Sequence, residues 1–205
     1  MTLYKKSSDI KLIKSTRKKI GAIFNKFGLS PNIWSIGVLL SAIIAAFFIL
    51  NKQFLLGAIF VLLSGFFDIV DGAVARAMKK ETKFGAYLDT IIDRYSEFIF
   101  ILPFTMLELP TFIMPFTFWL FLYLFGGLMT TYAKAAAKEK EIVKGKWELK
   151  GGILERAERV VLLAVAIFAG AFNILYFVYP IIALAILSNI SALQRISIAF
   201  KECPS

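Results

Sequence analysis

Apolar runs long enough to cross a lipid bilayer occupy most of the chain, at 34–50, 54–78, 84–106, 112–137, 153–172 and 174–200. A run of about 17–25 apolar residues spans the hydrocarbon core as a helix, and lipid offers no partner to an unsatisfied backbone amide. The expectation is therefore an all-α polytopic membrane protein with six transmembrane helices. Composition agrees, since 59% of the 205 residues are hydrophobic, against roughly 45–50% in soluble domains. No polar stretch is long enough to bury a second core, so one membrane domain at 31–205 is expected to follow a basic segment at 1–30.

Charge sets the expected orientation. Lys5, Lys6, Lys11, Lys14, Arg17, Lys18, Lys19 and Lys26 precede the first run, Lys79, Lys80 and Lys83 follow the second, and Lys138, Lys140, Lys144, Lys146 and Lys150 follow the fourth. The connections on the other side, at 51–53, 107–111 and around Asn173, carry only Lys52. Basic connections stay in the cytoplasm, which places both termini and the facing ends of the second and third runs there, in a cell membrane. The net charge of +10 then speaks of topology and anionic lipid, and nucleic-acid binding is not expected. Between residues 8 and 27, Ile10, Leu12, Ile13, Ile20, Ile23 and Phe24 are interleaved with basic residues, which suits an amphipathic helix lying in the interface. A simple basic anchor is the plainer reading of the same residues. The segment lacks the uninterrupted apolar core of a signal peptide and is expected to remain on the mature protein.

Four acids break the apolar pattern: Asp68, Asp71, Asp89 and Asp93. An ionised carboxylate costs about 2.5–3.5 kcal/mol or more at the centre of a membrane helix, so four together call for a compensating positive charge. On a helix Asp68, Asp71, Gly72 and Ala75 share one face, and Gly85, Asp89 and Asp93 share another. Gly72, Ala75 and Gly85 remove bulk beside the acids, leaving space for a helix or a flat ligand. Carboxylates are the hard oxygen ligands that Mg2+ and Mn2+ prefer, and a pair of such ions can hold a pyrophosphate and stabilise displacement at phosphorus. Arg76 adds a permanent cation suited to phosphate. With no histidine and a single cysteine, Cys203, a proton acceptor must be sought among the carboxylates, and Asp93, deepest along its run, is the candidate. Two other roles stay open: structural pairing of the acids with Arg76, Arg94 or lysines, and a transporter that binds cations or relays protons through them.

The string Asp68-x-x-Asp71-Gly72-x-x-Ala75-Arg76, eight residues, Gly85-x-x-x-Asp89-x-x-x-Asp93 resembles the full signature of the CDP-alcohol phosphotransferase family. That resemblance implies a six-helix membrane enzyme, expected to be a homodimer, that moves a phosphatidyl-type group from a CDP-linked lipid to an alcohol with release of CMP. It implies metal ligation by Asp68, Asp71, Asp89 and Asp93, with Asp93 also the general base. Gly72, Ala75 and Gly85 would leave room for the cytidine, Arg76 would lie near its phosphates, and Asn32, in the segment Pro31-Asn32, would touch the nucleotide.

The stretches Asp93-Arg94-Tyr95-Ser96-Glu97, Gly151-Gly152-Ile153-Leu154-Glu155-Arg156-Ala157-Glu158-Arg159 and Gln194-Arg195 are similar to the branch of that family whose acceptor is inositol phosphate. A phosphorylated acceptor needs cations, and Lys134, Arg156, Arg159 and Arg195 stand at or near expected cytoplasmic helix ends. The opposing view makes Arg156 and Arg159 partners of Glu155 and Glu158 on a helix surface. The expected reaction is transfer from CDP-diacylglycerol or CDP-archaeol to inositol 1-phosphate. A synthase using glycerol phosphate, and one using soluble CDP-inositol, are the alternatives within the enzyme class.

Overall fold

The computed structural model describes residues 7–26, 28, 30–142 and 152–202, with the side chains of 7–14, 17, 31, 32 and 202 outside the description. Lys5, Lys6, Lys144, Lys146 and Lys150, which contributed to the expected orientation, lie outside the described residues. Among the described residues seven α-helices run in order: α1 Ser7–Asn25, α2 Pro31–Leu50, α3 Phe54–Ala77, α4 Lys83–Ile101, α5 Phe116–Glu139, α6 Arg156–Gly170 and α7 Leu175–Glu202. Among the described residues the β structure is one isolated bridge, Phe112 to Met114, so the all-α expectation holds.

Local chemistry sets the helix ends. Pro31 opens α2, where its fixed φ fits the first turn and its missing N–H is no loss. After α3 the chain turns through Lys79 at φ 54°, and the Lys80 amide donates to the Ala75 carbonyl at 3.0 Å, which closes the helix. Thr82 then caps α4 by accepting the Gly85 amide at 2.9 Å. These two caps fix a short turn that carries the motif from one helix to the next.

The third and fourth apolar runs begin or end differently from the sequence expectation, and prolines are the reason. Pro103 cannot donate to a helical carbonyl, so α4 stops at Ile101 and a 3-10 turn, Leu102–Met106, follows it. Pro115 disfavours helical geometry at Met114, so α5 starts at Phe116 and the Phe112–Met114 bridge takes the place of its expected first turn. In the fifth run, Glu155 and Glu158 form a capping box that starts α6 at Arg156.

Among the described residues four helices are long and apolar enough to cross a membrane: α2 over Ile33–Leu50, α3, α5, and α7 over Leu175–Lys201. The chain is a membrane protein. Exposed Ile36, Leu40, Ile43 and Phe47 form a stripe at helical spacing along α2, as expected of a surface solvated by lipid.

The described residues form two compact units that meet in sequence at Pro103 and Phe104. In the first, α2 packs on α3 and α4, and α1 packs on α3. Small residues make these approaches possible: a Cβ added at Gly37 would stand 3.1 Å from the Phe67 ring, and one at Gly57 would stand 2.6 Å from Ile49. Gly21 of α1 similarly lies against the Ala73 carbonyl, while Phe24 meets Trp34 and Phe66 edge-on. Ser64 adds an interhelical bond, donating to the Val38 carbonyl at 2.9 Å. In the second unit α7 packs on α5 and α6. Gly126 meets Asn189, whose amide donates to the carbonyls of Leu122 and Ala185 at 2.8 and 2.9 Å, and Gly170 meets Phe177.

Candidate functional site

In the first unit, Asp68 of α3 and Asp89 and Asp93 of α4 come together, each offering a carboxylate oxygen within 4.8 Å of the others. Asp68 and Asp93 are half-buried and Asp89 is exposed, so the cluster opens outward at one edge. An octahedral cation with bonds of about 2.0–2.1 Å holds its ligands roughly 3–4 Å apart, which these three oxygens satisfy with small side-chain adjustments. The donor set is all oxygen, which suits a hard divalent cation.

Asp71 follows Asp68 by one turn and is held differently. The Ser35 hydroxyl of α2 donates to Asp71 Oδ2, and Asp71 is not among the three mutually close acids. Three of the expected ligands are thus assembled with one another, and the fourth is tied to the neighbouring helix. On the same helix as Asp89 and Asp93, Arg94 Nη1 bonds Glu97 Oε2 at 2.5 Å, with both side chains largely buried.

The motif glycines differ from those that serve helix contacts. The nearest neighbours of a Cβ on Gly72 would be the atoms of the Arg76 guanidinium, from 3.4 Å, and that of one on Gly85 would be the Thr82 hydroxyl, at 3.0 Å. Neither faces another helix closely, as Gly37 and Gly57 do. Gly72 and Ala75 are half-buried and Gly85 is exposed, so small residues stand at these positions of the acidic motif. Exposed Arg76 folds back toward Gly72. Asn32 lies in the first turn of α2, with its side chain outside the described residues.

The second unit holds the four expected acceptor cations. Arg159, though charged, is 1% exposed, and its Nη1 lies 3.4 Å from Thr130 Oγ1. Arg195 Nη1 donates to the Thr130 carbonyl at 2.7 Å. Thr130 therefore brings these two arginines together. Lys134 is exposed one turn further along α5, and Arg156 is half-buried at the start of α6. The surface-pair view of Arg159 does not fit its burial, and Glu158 accepts the Glu155 amide at 2.9 Å as part of the cap.

A family model described as CDP-alcohol phosphatidyltransferase matches residues 29–193. The chain belongs to the CDP-alcohol phosphatidyltransferase family. It is accordingly a phosphotransferase enzyme, which sets aside the transporter reading. Similar proteins include the archaetidylinositol phosphate synthase of Pyrococcus horikoshii, 32% identical over 93% of this chain and 94% of that one. That of Methanothermobacter thermautotrophicus is 31% identical over 87% of each chain. Among solved structures, the phosphatidylinositol phosphate synthase of Mycobacterium tuberculosis with CDP-DAG bound aligns at a TM-score of 0.74. It is 25% identical, with 90% of this chain and 93% of that chain covered.

In this CDP-alcohol phosphatidyltransferase the divalent-cation expectation agrees with the acids that the fold assembles. Sequence reasoning missed Ser35 and Thr130. Both are small hydroxyls in apolar helices, with nothing in their local pattern to separate them from ordinary helix residues. Ser191 was missed for the same reason, although its hydroxyl accepts the Leu154 amide at 3.0 Å and anchors the approach to α6.

Proposed function

We propose that the protein transfers the phospholipid moiety of a CDP-linked lipid, CDP-diacylglycerol or CDP-archaeol, to inositol 1-phosphate, releasing CMP. The observation that carries this reading is the cluster of Asp68, Asp89 and Asp93, on the same two helices as Gly72 and Gly85. The names of the similar proteins support the choice of inositol phosphate as acceptor.

The acids, with Asp71, hold two divalent ions, Mg2+ or Mn2+, which when bound neutralise the pyrophosphate and the charge that develops on the leaving CMP. Gly72, Ala75 and Gly85 admit the cytidine, Arg76 takes a phosphate oxygen, and Asn32 contacts the nucleotide. Asp93 accepts the proton of the attacking inositol hydroxyl. The new oxygen–phosphorus bond forms at the lipid-side phosphorus, and the bond from that phosphorus to the bridging oxygen of CMP breaks. No enzyme nucleophile is needed. The acceptor's own phosphate is assigned to Lys134, Arg156, Arg159 and Arg195, where fixed guanidinium forks suit bidentate contact.

In the membrane, α4 and α6 complete six spans, α1 lies in the interface, and both termini and the aspartates face the cytoplasm. The enzyme works as a homodimer. The deciding experiment supplies purified protein, Mg2+ and CDP-lipid with inositol 1-phosphate, glycerol phosphate, free inositol or serine in turn, and measures CMP. Release is expected only with a divalent ion and both substrates, fastest with inositol 1-phosphate. Equal or faster turnover with glycerol phosphate would overturn the acceptor assignment.

A further inference from the structure

Ser35 has no part in the family signature, yet its hydroxyl donates to the carboxylate of Asp71 across the contact of α2 with α3. We propose that Ser35 is a positioning residue for the metal site, holding Asp71 so that its remaining oxygen lone pairs face a cation bound by the other acids. This inference rests on the reading of the four aspartates as metal ligands.

Three observations support it. Ser35 is buried, at 8% exposed, so its position is set by the surrounding helices. The adjoining contact is tightly specified: a Cβ on Gly37 would crowd the Phe67 ring, and Ser64 donates to the Val38 carbonyl. With Trp34 also packed on the Phe67 ring at 5.9 Å, the hydroxyl is carried on a part of α2 that is keyed to α3 before and after it. Finally, Asp71 is the one signature acid not drawn into the close cluster. A carboxylate oxygen that accepts a hydroxyl proton still has lone pairs for a cation, and its rotation is restrained. Groups that orient a ligand in this way contribute about 10–100-fold in metal affinity or activity.

The test is Mn2+ binding by the full-length protein in detergent, followed by electron paramagnetic resonance, alongside CMP release as a function of metal concentration. Ser35→Ala is expected to weaken Mn2+ binding by about 10–100-fold. In turnover it should raise the metal concentration for half-maximal rate more than it lowers the rate at saturating metal. Ser35→Thr and Ser35→Val provide a pair of equal size that differ by a hydroxyl for a methyl, so a general disturbance of the helix contact affects both. Ser35→Thr should bind Mn2+ close to wild type and Ser35→Val should resemble Ser35→Ala. Wild-type binding by Ser35→Ala, or equal weakening in Ser35→Thr and Ser35→Val, would overturn the proposal and leave the carboxylate site intact. If Asp68→Asn with Asp89→Asn binds Mn2+ as tightly as wild type, the carboxylate reading itself fails and the Ser35 proposal falls with it.

Discussion

Gly72→Ala separates a glycine kept for a ligand from one kept for folding. In the structure the nearest neighbour of the added methyl would be the Arg76 guanidinium, at 3.4 Å, the far end of a flexible and exposed side chain. Folding should therefore tolerate it. Alanine within a helix is favoured over glycine by roughly 0.5–1 kcal/mol, so stability should hold or rise slightly. The same methyl stands where the proposed cytidine lies flat, and intruding one methyl into a close contact costs about 1–3 kcal/mol. At about 1.4 kcal/mol per tenfold, that is roughly a 5–150-fold loss in CDP-lipid affinity. Gly126→Ala is the opposite case, because its methyl would stand 2.8 Å from the Asn189 amide nitrogen and 2.9 Å from the Ser188 carbonyl carbon, both backbone atoms. There α5 and α7 must move apart, and the same overpacking of about 1–3 kcal/mol falls on stability. The assay measures thermal unfolding in detergent and CDP-lipid binding for both variants. A Gly72→Ala protein with wild-type CDP-lipid affinity, or one as unstable as Gly126→Ala, would refute the distinction.

Asp93→Asn should reduce CMP release by about 10²–10⁴-fold, while CDP-lipid binding stays measurable by titration, since a base contributes to the transition state. Wild-type turnover would remove Asp93 from that role. Thr130→Val removes the hydroxyl beside Arg159 but leaves the carbonyl that binds Arg195, so the KM for inositol 1-phosphate should rise several-fold with little change in that for CDP-lipid. An effect confined to CDP-lipid would contradict the acceptor assignment. Lys52, at φ 58° after α2, occupies a left-handed position that favours glycine, so Lys52→Gly should stabilise the protein by about 1 kcal/mol in detergent unfolding.

Much of the site was legible because its residues are unusual for their surroundings. Aspartates in apolar helices are expensive, and their helical spacing with small residues announces two faces that serve a charged ligand. Asp68, Asp89 and Asp93 do assemble, and an added Cβ at Gly72 or Gly85 finds its nearest neighbours on its own segment, at Arg76 and Thr82, rather than on another helix. The basic residues were harder to interpret. A guanidinium at a helix end has the same sequence signature whether it extends to lipid or turns inward, and the burial of Arg159 is a consequence of how α5, α6 and α7 close around Thr130.

The sequence by itself determined the helical class, the membrane setting, the acidic motif and the family, because each depends on composition or on spacing within one or two helices. Prolines and caps were also visible in it, but their effect on the third, fourth and fifth runs needed the backbone to show which geometry prevailed. Only the tertiary structure decided that Ser35 meets Asp71, 36 positions away, and that Thr130 meets Arg159 and Arg195. These contacts join residues on different helices through ordinary hydroxyls. Their partners are chosen by helix rotation and close approach at small residues, quantities that no local pattern encodes.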